Sequence, residues 1–490
     1  MPGRHNARCV ITLTVALLGS AMMALQAGAD ACAEQPGVCL ATLEEIGIPT
    51  LRSRSYTSDI QVLEVLGDRS HPTEYTRHYT PAGATPHSTF LGTYQSDRLR
   101  LYVRLDIPSS AMPPGGFPLV VFAPGWISRD QAPGWNFGYD TSSFTGEVIQ
   151  RFVQEGFAVV TPGYRGRGTV AGVAADGIEF IDAYGNGSYL SPVFYALDLL
   201  NIIQGLASLN GIEWQGWGFG TEVAPRFDLD TVALLAHSQG GDAALTALAV
   251  LGDNPRISQP VKAASIVSGN IPDRFTQANT FGPMGSTLQA FMSGDGTWTG
   301  SATGADGSVN KEFIFPWPAD WIGTVDTRSP EWTWQAQQWA TPTVRDALEI
   351  KYREMYDTLN AYVGNMAQAT FDIGKDATGA TEVRHDPVIE QTMPGIGGFN
   401  HARYLKTPLA LHISDRDYYS MPVWNHNLAR RINQAGGKAR VFIYAGTNHS
   451  LKRSKYSWFS PPGTPDGLPY AIARDALFFR GGDPATIEYP

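Results

Sequence analysis

Hydrophobic positions along the chain change period repeatedly. In "LRLYVRLDIP" (99–108) apolar and polar residues alternate, as in a strand with one buried face. After a Pro/Gly loop at 113–116, "PLVVFAPGW" (118–126) is apolar almost throughout, as expected of a strand covered on both faces. The period becomes helical in "SSFTGEVIQRFVQEG" (142–156), where Val148, Phe152 and Val153 share a face and Gly156 supplies a stop. A strand at 157–162 follows, then an amphipathic helix at 191–209 that opens on Ser-Pro. The rhythm continues with a strand at 230–237, a helix at 241–252 and a strand at 261–269. It returns far downstream as a strand at 407–414, a helix at 425–437, a strand at 439–446 and a helix at 471–479. Strands alternating with helices predict an α/β protein with a mostly parallel sheet covered on both faces. Residues 30–95 read as irregular, with "DIQVLEV" (59–65) the best strand candidate.

Residues 271–404 interrupt this rhythm. They hold Trp298, Trp317, Trp321, Trp332, Trp334 and Trp339, half of the 12 tryptophans. One strong helix is predicted there, about 343–368, with Leu348, Tyr352, Met355, Leu359, Tyr362 and Met366 three or four apart. Because the strand pattern resumes at Thr407, the segment is expected to be a Trp-rich cap inserted between two late strands, with a separate domain as the alternative. The expected division is a leader at 1–29, an N-terminal extension at 30–96, a first core part at 97–270, the cap at 271–404 and a second core part at 405–490.

Composition narrows the function. With 43% hydrophobic and 17% charged residues, the 490-residue chain is an ordinary core-forming protein. A net charge of −10 argues against nucleic-acid partners and gives no attraction to anionic membranes. Arg4 and Arg8, an apolar run from about Cys9 to Leu25 and the small residues Ala27-Gly28-Ala29 read as a signal peptide cleaved before Asp30. The expected location is therefore secreted or periplasmic. A membrane anchor is the alternative, and no later stretch reads as apolar enough to span a bilayer. In an oxidising compartment Cys32 and Cys39 are expected to pair.

The candidate chemistry centres on "AHSQGG" (236–241), which fits G-x-S-x-G with alanine first and lies between an apolar strand and an alanine-rich helix. Small residues are needed because the turn is tight. The turn would expose Ser238 as a nucleophile and put the Gln239 N–H at a helix N-terminus, where it can stabilise an oxyanion. A serine needs a base, and the base needs an orienting acid. His449, in "YAGTNHS" after the last strand, is the candidate base. "LHISDRDYYSMP" offers Asp417 as the acid and Asp415 as the alternative. His237, His401, His412 and His426 read as structural, with the His237 side chain pointing away from the serine. In "APGW" (123–126) the Trp126 N–H is the candidate second oxyanion donor and Gly125 the alternative, with Trp126 also walling the acyl pocket. Neither "DGTWTGS" nor "DGSVNKE" has the acidic spacing of a calcium loop, and the chemistry calls for no metal or cofactor.

"AHSQGG", "APGW", "GFAVVTPGYRGRG", "HISDRDYYSMP" and "YAGTNHS" resemble the α/β-hydrolase superfamily over about 97–270 and 405–480. Within it, "GFAVVTPGYRGRG" and "FDLDTVALLAHSQGG" are similar to the dienelactone hydrolase and prolyl oligopeptidase branch, and "APGW" resembles the oxyanion loop of secreted cutinases. The resemblance implies the α/β-hydrolase fold and a Ser-His-Asp mechanism through an acyl-enzyme. The expected substrate is a small or oligomeric carboxylic ester, with exopeptidase activity as the alternative. Two departures stand out. Too few residues precede 97 for the β-propeller usual in prolyl oligopeptidases, and cutinases usually lack so long a cap.

Overall fold

The computed structural model describes residues 37–66, 86–135, 143–217, 224–281, 344–377, 381–415, 420–453 and 460–490, together with Cys32, Glu34, Gln35, Phe137 and Asp417. The expected leader at 1–29 and the six tryptophans expected in a cap lie outside the described residues.

Nine strands form the main sheet: β1 Gln61–Leu66, β2 His87–Ser96, β3 Leu99–Pro108, β4 Phe117–Ala123, β5 Ala158–Pro162, β6 Phe227–His237, β7 Ala263–Val267, β8 Leu409–Ile413 and β9 Ala439–Ile443. Their spatial order is β1-β2-β3-β5-β4-β6-β7-β8-β9. The pairs β1/β2, β2/β3 and β3/β5 are antiparallel. From β5 onward every pair is parallel. The exchange of β4 and β5 beside an antiparallel β3, followed by consecutive parallel strands, is the α/β-hydrolase fold.

The near-continuous apolar strands are explained by two cores. In β4, Leu119, Val121 and Ala123 enter one core with α2 (Ser191–Gly205), α3 (Gln239–Leu251) and α5 (Pro422–Gln434). Val120 and Phe122 point the other way, to α1 (Phe144–Gln154) and α6 (Leu468–Phe479). Successive side chains of a strand face opposite sides, so a strand between two helical layers is apolar at both periods.

The N-terminal extension departs from the irregular reading. It supplies β2, and its Leu43, Ile46, Ile48 and Leu51 are buried in the main core. The β2 sequence "HSTFLGTYQS" hides its strand because polar residues sit at buried positions. Thr89 Oγ1 donates to Asp106 at 2.6 Å and Ser96 Oγ to Asp198 at 2.7 Å, so those hydroxyls are satisfied inside.

The same extension changes α2, which is buried on every side rather than amphipathic. Thr57 N–H donates to Asn201 and Ile60 N–H to Ser208, so residues 57–60 cover the face expected in solvent. The span Ser191–Gly211 is in fact long and apolar enough to cross a membrane by length and composition, contrary to the sequence reading, but it serves here as a core helix, 83% buried.

Strands β7 and β8 are direct neighbours, so 268–408 leaves and re-enters the sheet between adjacent strands. Its helix α4 (Val344–Tyr362) is shorter than the expected 343–368, and Met366 falls on a 3-10 turn after it. Leu348, Tyr352, Met355 and Leu359 are buried in the same core as α2. Cys32 and Cys39 are joined by a disulfide, S–S 2.06 Å. The neighbouring Leu40 bridges Val363 at the end of α4.

Candidate active site

Ser238 sits between β6 and α3 at φ 55°, ψ −125°, a conformation unusual for a residue with a Cβ. Backbone bonds hold it there. Ser238 N–H donates to the Val267 carbonyl at 3.2 Å, and the Ser238 carbonyl accepts from Gly241 N–H at 2.9 Å and Asn270 N–H at 3.0 Å. The following glycines are steric necessities. A Cβ on Gly240 would lie 2.3 Å from the Ala123 carbonyl oxygen, and one on Gly241 would lie 2.7 Å from Gly269 Cα. Gln239 is the first residue of α3, so its N–H is at the positive end of the helix.

Asp417 and His449 come from the loops after β8 and β9, at the carboxyl ends of adjacent parallel strands. His449 Nδ1 lies 2.9 and 2.8 Å from the two oxygens of Asp417, whose side chain is fully buried. A carboxylate only accepts, so Nδ1 carries the proton, and the neutral ring has Nε2 as its acceptor. Asp417 Oδ1 also accepts from Ser420 N–H at 3.0 Å. Asp415 faces elsewhere. Its Oδ1 accepts from Gly446 N–H at 2.7 Å, which pins the loop leading to His449. The structure therefore brings Asp417, not Asp415, to the imidazole.

Ser238, Gln239, His449 and Trp126 border one cavity of about 1310 Å³. Gly125 lies against the serine, since a Cβ there would meet Ser238 Cβ at 3.1 Å. Trp126 is 53% exposed at this cavity, with Ile127, Trp135, Phe144 and Tyr189 as further apolar lining.

Neither a protein-family model nor a curated protein matches this chain. Solved structures do. An acetyl xylan esterase from Paenibacillus sp. R4 is 14% identical, with 89% of this chain and 92% of that chain covered, TM-score 0.42. Candida antarctica lipase A in its closed state is 14% identical, with 87% and 84% covered, TM-score 0.43. A putative dipeptidyl aminopeptidase IV from Bacteroides ovatus is 12% identical over 82% of this chain, TM-score 0.42, and this chain spans only 36% of its length. The strand order and the Ser238 turn are those of an α/β-hydrolase fold.

His237 is placed differently from the expectation. Its ring lines the cavity instead of turning away, stacked on Phe144 at 3.9 Å and centred 5.0 Å from His449. Its Nε2 is 3.4 Å from the His449 carbonyl oxygen. Burial first, then the neighbouring His449, push its pKa well below the usual imidazole range, so it is neutral at pH 7. His401 contacts the Gly395 carbonyl and His412 is sealed in the core, away from the serine.

Residues not anticipated from sequence complete the site. Lys351 and Glu354 of α4 reach the cavity and pair with each other at 3.1 Å. Asp182 reaches it too, paired with Arg129 at 2.6 Å. Behind the serine, Arg167 is fully buried, and its Nη1 donates to the Gly125 carbonyl at 3.0 Å. Nothing in the spacing of "YRGRG" tells which arginine goes where. Among the described residues no cluster of His, Cys, Asp and Glu could hold a metal ion.

Proposed function

We propose that this protein is a serine hydrolase of carboxylic esters, exported after removal of residues 1–29. The observation that supports it most is Ser238 held at φ 55° in one cavity with His449, whose Nδ1 faces Asp417. Ser238 Oγ attacks the ester carbonyl while His449 Nε2 takes its proton, and Asp417 stabilises the imidazolium. The Gln239 and Trp126 N–H groups hold the oxyanion. His449 then protonates the departing alcohol, leaving an acyl-Ser238 ester that water hydrolyses by the same route in reverse.

The aromatic lining favours an apolar or aromatic acyl or alcohol group. The cavity carboxylates Asp182 and Glu354 each have a cationic partner, which favours a neutral substrate over a peptide amine. Of the insertion at 271–404, Lys351, Glu354 and Thr358 of α4 line the cavity, which supports reading it as a cap.

The test compares nitrophenyl esters of increasing acyl length with aminoacyl and dipeptidyl anilides. Ester turnover is expected, lost about 10⁴-fold or more in Ser238→Ala. Fast Ser238-dependent anilide cleavage would make the protein a peptidase. An unchanged ester rate in the variant would remove Ser238 from the mechanism.

A further inference from the structure

Arg167 is a cation in an unusual setting. It is 0% exposed, yet among the described residues it forms no ion pair. Its Nη1 donates to the Gly125 carbonyl at 3.0 Å, its Nη2 reaches Gln239 Oε1 at 3.5 Å, and its Nε is buried without a partner. The guanidinium lies 4.8 Å from the Tyr164 ring centre and 4.5 Å from that of Tyr195. Arg165, two residues earlier, is equally buried but has a carboxylate: its Nε and Nη2 both donate to Asp198, the latter at 2.7 Å. A guanidinium keeps its charge in a protein, and a buried charge without a counter-charge is costly. Aromatic faces and carbonyl dipoles offset only part of that cost.

The groups that Arg167 holds indicate where a counter-charge would arise. The carbonyl of Gly125 and the N–H of Trp126 belong to one peptide unit, and in a trans peptide they point in opposite directions. Drawing that carbonyl toward Arg167 turns the Trp126 N–H the other way. A bond to the carbonyl also polarises the unit and makes its N–H a stronger donor. The second contact is to the side chain of Gln239, whose own N–H is the other donor assigned above.

We propose that Arg167 is a positioning residue for the oxyanion site. It locks the Gly125–Trp126 peptide so that the Trp126 N–H, rather than that of Gly125, is the second donor, and its charge, which meets no carboxylate among the described residues, is placed to be balanced by the oxyanion. This rests on the triad reading above and adds to it the group that tunes transition-state charge.

The test measures ester kcat and KM, and the Ki of an alkyl boronic acid that forms a tetrahedral adduct on serine, in wild type, Arg167→Met, Arg167→Gln, Arg167→Lys and Ser238→Ala. Arg167→Met is expected to lower kcat about 100-fold and weaken the boronate by a similar factor, with KM within about threefold. Arg167→Lys, which keeps the charge but not the fork, should recover part of both losses. If Arg167→Met fails to fold, Arg167→Gln, with an N–H for Gly125 but no charge, carries the same comparison. A kcat within threefold of wild type, or a loss confined to KM, or a kcat loss with unchanged boronate Ki, overturns the proposal. If Ser238→Ala keeps the wild-type rate, the triad reading itself has failed, a different result from an inactive Ser238→Ala beside an unaffected Arg167→Met.

Discussion

Among the described residues, two imidazole–carboxylate pairs are almost equally short. His449 lies 2.8 Å from Asp417 and His412 lies 2.9 Å from Asp475. The second pair even has a serine, since Ser265 Oγ donates to Asp475 at 2.8 Å. The surroundings separate them. The His412 ring is fully buried with partners on both nitrogens, Tyr444 Oη lying 2.7 Å from Nδ1. His449 gives Nδ1 to its acid, and its ring borders the cavity that holds Ser238. The serine also attaches differently: Ser265 bonds to the acid, whereas Ser238 sits on a strained turn at the cavity floor. A short His–Asp contact is therefore not a mark of catalysis. Access, and what faces the rest of the ring, decide.

The sharpest way to break this contrast is at the acids. Asp417→Asn should lower kcat about 10⁴-fold, because the amide no longer holds the correct imidazole tautomer. Asp415→Asn should cost less than about tenfold, because the amide oxygen can still accept from Gly446 N–H and the residue does not hold the imidazole. Equal losses in ester turnover would erase the distinction between the two aspartates.

The sealed pair should respond in stability instead. Asp475→Ala leaves His412, Ser265 and their neighbours with unmet bonds in the core and is expected to cost about 3 kcal/mol. The readout is the denaturant midpoint, with kcat of the folded enzyme preserved. A loss of kcat without a loss of stability would make the second pair part of the catalytic machinery.

The Cys32–Cys39 bridge, which meets the end of α4, is a control outside both pairs. Replacing both cysteines by serine should remove at most about 2.5 kcal/mol, because the closed loop is short, and leave kcat unchanged.

A third imidazole, His385, sharpens the contrast, because among the described residues it has no acidic partner. It stacks on Phe275 at 4.1 Å with Tyr356 Oη 3.1 Å from Nδ1, and burial lowers its pKa to about 4. The unfolded chain takes up a proton near pH 6.5, well before the folded protein does. Its contribution is therefore complete above pH 6.5 and falls as the pH drops toward 4. At pH 5 the loss is about 2 kcal/mol, and His385→Gln should flatten that part of the stability–pH curve.

Much of the sheet was readable because a buried parallel strand needs an apolar run, as in "PLVVFA" and "TPLALHIS". Strand β2 was not, because its hydroxyls meet Asp106 and Asp198 from other parts of the chain. The full burial of α2 was also hidden, since its covering face comes from 57–60, more than a hundred residues earlier.

At the site, the nucleophile turn was legible as a local steric demand: a serine at positive φ, followed by glycines with no room for a Cβ. The choice between Asp415 and Asp417 was not, because two residues apart on a loop their carboxylates point to different partners. Nor could spacing assign Arg165 to Asp198 and Arg167 to the Gly125 carbonyl. The sequence alone determined periodicity, the tight turn and the kinds of group available for catalysis, all set by neighbours within a few residues. Tertiary structure decided which charges meet, which rings are sealed and which face the cavity. Those outcomes depend on contacts between distant segments, and no local pattern encodes them.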